Sequence, residues 1–119
     1  MRDILAAMPT PAPGSLPPHW FQILLSLADS ERHGLAIMED VLARTGGQMR
    51  LWPGMLYRNL QRLEVEKLIA ETGGPGAPEP GRPRYFRITA AGKRACAAEA
   101  RRLAGFVDAA RAKKLLGKA

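Results

Sequence analysis

The length and composition of this chain limit its function before any motif is considered. Its 119 residues, 46% of them apolar, suit one domain with one core and are too few for a typical two-domain enzyme. No run approaches the roughly 18 consecutive apolar residues of a membrane span. The first residues lack a secretory signal, so the expected location is cytoplasmic. The single cysteine, Cys96, excludes an intramolecular disulfide.

Positive charge is concentrated in the second half of the chain. The net charge is +7, yet residues 1–47 carry three arginines against five acidic residues. Residues 82–94 contain five basic residues and no acid, and residues 95–119 contain six basic residues and two acids. Such clustering is typical of proteins that bind a polyanion, and a merely solvated basic surface is the alternative.

The N-terminal segment is expected to be a flexible arm followed by a helix. Five of the ten prolines lie within residues 1–18, and proline lacks the backbone donor that a helix interior needs. Apolar residues then follow at helical spacing from Trp20 to Leu27, which predicts a first helix over about residues 18–28.

Two more helices are predicted in the middle of the chain. A polar turn over residues 29–34 leads into the second, over about residues 34–44, which a pair of glycines ends. The third should begin at Pro53 and end near Lys67, after a short extended segment at residues 49–51. The apolar residues expected in the core are Leu35, Met38, Val41 and Leu42 on the second helix, and Leu56, Leu60 and Leu63 on the third.

A hairpin and a long helix complete the predicted order. Residues 68–71 and 84–88 are predicted strands, the second because apolar and polar residues alternate. Residues 73–83 between them hold four glycines and four prolines, which predicts a loop. Thr89 is the expected N-cap of a single helix over about residues 90–116.

This order predicts a mainly α fold with a small β-hairpin, namely a winged helix-turn-helix plus a long C-terminal dimerisation helix. The expected parts are the arm (1–15), a DNA-binding domain (16–89) and the dimerisation helix with its tail (90–119). In helix-turn-helix proteins the recognition helix enters the major groove. The third helix suits that role because its leucines share one face, and the opposite face carries Met55, Arg58, Asn59 and Arg62.

Several stretches of the chain resemble PadR-like transcriptional regulators. The similarity lies in residues 33–38, 51–63, 68–69 and 84–92, and it extends over about residues 16–115. Its most specific parts are the run Pro-Gly-x-Leu-Tyr-x-x-Leu-x-Arg-Leu and the later Tyr-Phe-x-Ile-Thr-x-x-Gly. The resemblance implies a homodimer whose C-terminal helix packs against the partner. It also implies repression of nearby genes, relieved by a small ligand.

Trp52 departs from the family pattern, which often has Ser or Thr at this position. The family hydroxyl would cap the recognition helix or touch a phosphate, and an indole cannot cap. Trp20 and Trp52 are candidates to line a pocket for a small-molecule effector at the dimer interface, with packing in the core or interface as the alternative.

Eight residues are the candidates for contact with double-stranded DNA. Arginine can read guanine and asparagine can read adenine, so the third helix is expected to read base edges. The wing arginines should meet phosphates or the minor groove, with Arg82 the most exposed of the three. Tyr57 either bonds DNA, as the family suggests, or packs on the core. The full set is Met55, Tyr57, Arg58, Asn59, Arg62, Arg82, Arg84 and Arg87.

The C-terminal helix carries an apolar stripe for which the predicted domain offers no partner. A stripe of this kind predicts a subunit interface, to which the first helix would contribute. The expected interface residues are Trp20, Leu103, Phe106, Val107 and Ala110.

No constellation of residues indicates an enzyme, a metal site or a cofactor. The sequence lacks a recognisable nucleophile with its base and a glycine-rich phosphate loop. His19 and His33 have no second ligand at metal spacing. Cys96 is either a redox switch or a buried inert thiol. The alternative function is a winged-helix protein-interaction module that does not bind DNA, against which the basic segment 82–94 argues.

Overall fold

The computed structural model describes residues 15–76 and 79–117. The predicted arm, residues 1–15, lies outside the described residues except for its last position. The predicted mainly α fold class is confirmed, and α1, α3 and α4 end two to four residues before their predicted ends. The elements are α1 (Pro18–Ser26), β1 (Arg32–His33), α2 (Gly34–Arg44), α3 (Pro53–Val65), β2 (Ile69–Thr72), β3 (Tyr85–Ile88) and α4 (Ala90–Ala112).

The sheet has one strand more than the predicted hairpin. Its order is β1-β3-β2 and both pairings are antiparallel, with Arg32 opposite Phe86 and Ile69 opposite Ile88. The sequence placed β1 in a polar turn. A strand of two residues carries no periodic signal, and this one forms because the open edge of β3 offers it backbone partners.

The core lies between the helices and the sheet. The face of α2 that packs against the core differs from the predicted face. Leu35 was expected in the core but is 57% exposed, whereas Ile37 is fully buried. Gly34, Ile37 and Val41 form the buried stripe of α2, so Leu35 is rotated outward. The buried apolar residues are Ile23, Leu24, Leu27, Ile37, Val41, Leu51, Leu56, Leu60, Leu63, Ile69, Phe86, Ile88 and Cys96.

A polar cluster fastens α1 to α2. The Ser26 hydroxyl donates to Asp40 at 2.7 Å, and Arg44 donates to Asp40, to Ser26 and to the carbonyl oxygen of Gln22. Burial pushes the pKa of Asp40 up, but the bonds from Ser26 and Arg44 outweigh it, so the pKa lies below its ordinary value.

Thr89 fixes the junction between the sheet and α4, and its predicted capping role is confirmed. Its hydroxyl accepts from the Gly92 N–H at 3.0 Å and donates to the Lys67 carbonyl at 2.7 Å. Gly92 is required there, because a Cβ would collide with the Leu68 carbonyl oxygen. The end of α3 and the start of α4 are thereby held together.

Only the first half of α4 is packed into the domain. Gly92, Cys96 and Glu99 are its buried residues, and none of residues 100–117 is buried. Glu99 accepts from both Arg102 and the Leu16 N–H, and these bonds hold the pKa of its carboxyl below the ordinary value. This contact ties the start of the described chain to α4.

Candidate nucleic-acid interface

The outer face of α3 is basic and exposed because three leucines hold its inner face. Leu56, Leu60 and Leu63 are buried, whereas Arg58 and Arg62 are exposed. Among the described residues, neither arginine side chain has a hydrogen bond or an ion pair. The structure therefore presents two of the predicted contact residues to solvent with their donors unused.

Arg58 forms a ridge between two open hollows. One, of about 580 Å³, lies between α3 and the wing at Arg84, and the other, of about 500 Å³, lies between α3 and Trp20 of α1. Gln61 borders both hollows and is exposed. Gln61 was not among the predicted contact residues, although its spacing of three from Arg58 places the two on one helical face.

Asn59 is used inside the protein. Its Oδ1 accepts from the Trp20 indole N–H at 3.0 Å, and its Nδ2 donates to the Met55 carbonyl at 2.8 Å. The Met55 side chain is only half-exposed and packs against the core. The Trp20–Asn59 bond joins α1 to α3, and the amide that was predicted to read adenine has both of its groups engaged.

Tyr57 packs within the domain while part of its side chain stays open to solvent, and its contact with DNA stays a prediction. The side chain is 40% exposed, and its ring packs over Gly34 at the start of α2. A Cβ at Gly34 would collide with the Tyr57 hydroxyl, so the glycine permits the close approach of α2 to α3.

Arg84 and Arg82 are anchored within the wing, which comprises β2, β3 and the residues between them. Arg84 donates to Glu71 on β2 and lies 3.6 Å from Glu64 of α3. The hydrogen bond to Glu71 raises the pKa of Arg84. Arg82 donates to the carbonyls of Pro75 at 2.6 Å and Gly76 at 3.4 Å.

Arg82 was expected to be the most DNA-exposed of the wing arginines, yet it is the least open to solvent of the three. Arg82 is half-buried and its guanidinium lies 5.9 Å from the centre of the Tyr85 ring, whereas Arg84 and Arg87 are exposed. Arg87 borders a hollow with Asp29 and Glu31 of the α1–β1 loop and is not brought to α3. The three arginines therefore do not form one surface.

The two tryptophans line different hollows. Trp20 faces α3 beside Arg58 and Arg62, whereas Trp52 lies beside Leu35 of α2. The two hollows share no lining residue within one chain, and the pocket expected at the dimer interface stays a prediction.

The predicted dimerisation stripe is open along α4. Phe106 is 59% exposed and Val107 is 45% exposed, and Leu103 and Ala110 are half-buried. Trp20, the fifth predicted interface residue, donates its indole N–H to Asn59 of α3, and its place in a dimer interface stays a prediction.

Other functional sites find little support in the described part of the chain. Residues 15–76 and 79–117 contain no group of three or more side chains suited to a metal ion. No helix within them is long and apolar enough to cross a membrane. Burial raises the pKa of the Cys96 thiol, which disfavours the reactive thiolate.

The chain is similar in sequence to a known protein family and to a known protein. Residues 23–98 match the transcriptional regulator PadR-like family. An uncharacterized 37.1 kDa protein in transposon TN4556 of Streptomyces fradiae is 38% identical over 82 residues, which are 69% of this chain and 22% of that protein. This chain therefore spans about a fifth of the length of that relative.

Solved structures share the fold at low sequence identity. A PadR family transcription regulator from Clostridium difficile R20291 has a TM-score of 0.63 and 22% identity, over 82% of this chain and 99% of that one. A transcriptional regulator from Clostridium thermocellum has a TM-score of 0.61 and 21% identity, over 83% and 92% of the two chains. A PadR family regulator from Eggerthella lenta has a TM-score of 0.55 and 24% identity, over 81% and 82%.

Proposed function

Because this chain belongs to the transcriptional regulator PadR-like family, we propose that it is a sequence-specific DNA-binding repressor that acts as a homodimer on an inverted-repeat operator. In this proposal residues 16–89 bind DNA and residues 90–119 form the dimer. The observation that carries it is the exposed face of α3, where Arg58, Gln61 and Arg62 lie on a helix whose other face is buried.

Each group has a distinct role in the proposed complex. Helix α3 enters the major groove, where Arg58 and Gln61 read base edges through paired hydrogen bonds. Arg62, nearer the end of α3, contacts phosphate. Arg84 and Arg82 keep the wing in place beside α3, because their donors already serve Glu71 and backbone carbonyls.

Dimerisation through α4 accounts for the apolar surface that the domain leaves open. Phe106 and Val107 are exposed on a helix that extends beyond the core, and a second copy of the same stripe would cover them. Two α3 helices related by a two-fold axis would read half-sites about 34–36 Å apart, which requires an inverted repeat.

The proposal includes release from DNA by a small molecule. The effector is proposed to bind in the open hollow of about 500 Å³ beside Trp20. Arg58 and Arg62 also border it, so a ligand there would occupy space that α3 needs for DNA.

A salt titration tests the central claim. The full chain is bound to a labelled random-sequence duplex, and affinity is measured by fluorescence anisotropy at several salt concentrations. Binding should weaken steeply with salt because phosphate contacts release counterions. Selection from a random pool should then enrich an inverted repeat, and light scattering should report a dimer. Failure of the chain to bind duplex DNA at low salt would instead support the alternative function, a winged-helix protein-interaction module.

A further inference from the structure

An apolar surface patch lies at the start of α3. Trp52 is 61% exposed and Leu35 is 57% exposed, and they border a shallow hollow of about 240 Å³. Met38, Leu42, Leu51 and Pro53 complete its apolar lining, which we name the Trp52 patch. Burial of an indole is strongly favourable, so a tryptophan left this open indicates a contact outside the domain.

The Trp52 patch lies at the end of α3 that would meet DNA. Trp52 directly precedes Pro53, the first residue of α3, and makes no side-chain cap. Leu35 is the second residue of α2. In a helix-turn-helix the first turn of the recognition helix contacts bases while the preceding helix crosses the backbone. The patch therefore lies at the end of α3 where base contacts are expected.

The charges around the Trp52 patch also suit DNA. The Arg50 guanidinium lies 5.6 Å from the centre of the Trp52 ring, which places a cation beside the apolar surface. Glu39 is the one acidic residue among those that line the hollow. Thymine, through its C5-methyl group, gives the major groove an apolar feature, and that methyl lies within reach of a phosphate.

We propose that Trp52, supported by Leu35, determines specificity for thymine by packing its indole against the C5-methyl group, while Arg50 pairs with a neighbouring phosphate. This inference rests on the proposed function. It assigns a base-reading role to Trp52, and it makes the patch a nucleic-acid contact instead of a protein-docking site.

The test removes only the methyl groups from the DNA. The full chain is bound to two duplexes of 24 base pairs, one of alternating adenine and thymine and one of alternating adenine and uracil. The unaltered protein should bind the thymine duplex at least fourfold more tightly, roughly the effect of one buried methyl group. Trp52→Ala should bind both duplexes alike. Val65→Ala, which trims an exposed apolar residue at the other end of α3, should keep the preference.

A fluorescence measurement provides a second readout that does not depend on affinity. In Trp20→Phe, Trp52 is the only tryptophan. The thymine duplex should shift the emission of Trp52 more than the uracil duplex does. It should also protect Trp52 more strongly from quenching by acrylamide. Circular dichroism checks that each variant is folded.

The outcomes separate the two proposals. Equal, salt-dependent binding of both duplexes by the unaltered protein would overturn thymine reading and leave DNA binding intact. A uniform loss of affinity in Trp52→Ala, with the methyl preference retained, would also overturn it. Failure to bind either duplex would overturn the proposed function, and this inference with it.

Discussion

Helix α3 and the wing both carry arginines, and the structure uses them in opposite ways. Arg58 and Arg62 on α3 are exposed without partners among the described residues, whereas Arg82 and Arg84 in the wing bind carbonyls and carboxylates of their own domain. A helix satisfies its backbone groups internally, so its outer side chains remain available. A loop rich in glycine and proline leaves carbonyls without partners, and Arg82 donates to two of them.

This difference shows that clustered charge does not identify the contact residues. The segment 82–94 contains five basic residues and no acid, yet two of its arginines stabilise the wing. The α3 arginines lie in a stretch with acidic neighbours and are the ones left open. These contacts predict different effects for substitutions on α3 and in the wing.

The largest effect is expected on α3. Arg58→Ala should weaken binding to the selected operator by about 1–3 kcal/mol, or roughly five- to 150-fold, because a bidentate base contact is lost. Arg101→Ala is the matched control, since Arg101 is exposed on α4, two residues before Leu103 and therefore turned away from the dimerisation stripe. Anisotropy titration measures both. Equal losses in the two variants would mean that Arg58 contributes only charge.

Asn59→Ala should act on stability and not on base preference. It removes two internal hydrogen bonds, each worth about 0.5–1.5 kcal/mol, and leaves the Trp20 indole N–H without its acceptor. Denaturant unfolding should show a lower free energy of unfolding for this variant. Affinity for operator and random DNA should fall by the same factor.

Trp20→Phe completes a double-mutant cycle with Asn59→Ala. The two changes should be less than additive if the bond between them carries part of the effect. Relaxed preference at one base pair in Asn59→Ala would instead restore the reading role that the sequence suggested.

A smaller effect is expected for Arg84→Ala in the wing. Its ion pairs with Glu71 and Glu64 are largely exposed, so the loss of stability should be below about 1 kcal/mol. The slope of log affinity against log salt should stay unchanged, since Arg84 is not proposed to touch phosphate. Differential scanning calorimetry and a salt titration test these points. A flatter slope would place Arg84 on the DNA.

The smallest effect is expected on the stability of the fold at acidic pH. The pKa values of Asp40 and Glu99 lie below their ordinary values of 3.8 and 4.5, so both carboxylates stabilise the folded chain above those values. This stability should be lost as the pH falls through the folded-state pKa values. The melting temperature should therefore drop between about pH 5 and pH 3. The melting temperatures of Asp40→Asn and Glu99→Gln should each fall less over that range. An unchanged dependence of melting temperature on pH in these variants would exclude the two carboxylates as the source.

The sequence alone determined features that depend on local spacing and local capping. The bounds of α2, the buried leucines of α3 and the Thr89 cap were all predicted, because helical periodicity and an N-cap involve residues within a few positions of each other. The family resemblance, confirmed over residues 23–98, comes from the same short runs.

Only the tertiary structure decided which polar groups remain available. The Trp20–Asn59 bond joins residues 39 apart, and the Arg84–Glu71 bond joins residues 13 apart across the sheet. The strand β1 exists through its pairing with β3, more than 50 residues later. Leu35 and Ile37 are similarly apolar, and only the packing of α2 against the core determines which of them is buried. A side chain's neighbours across the fold thus decide whether it stabilises the protein or can contact DNA, and sequence spacing does not report those neighbours.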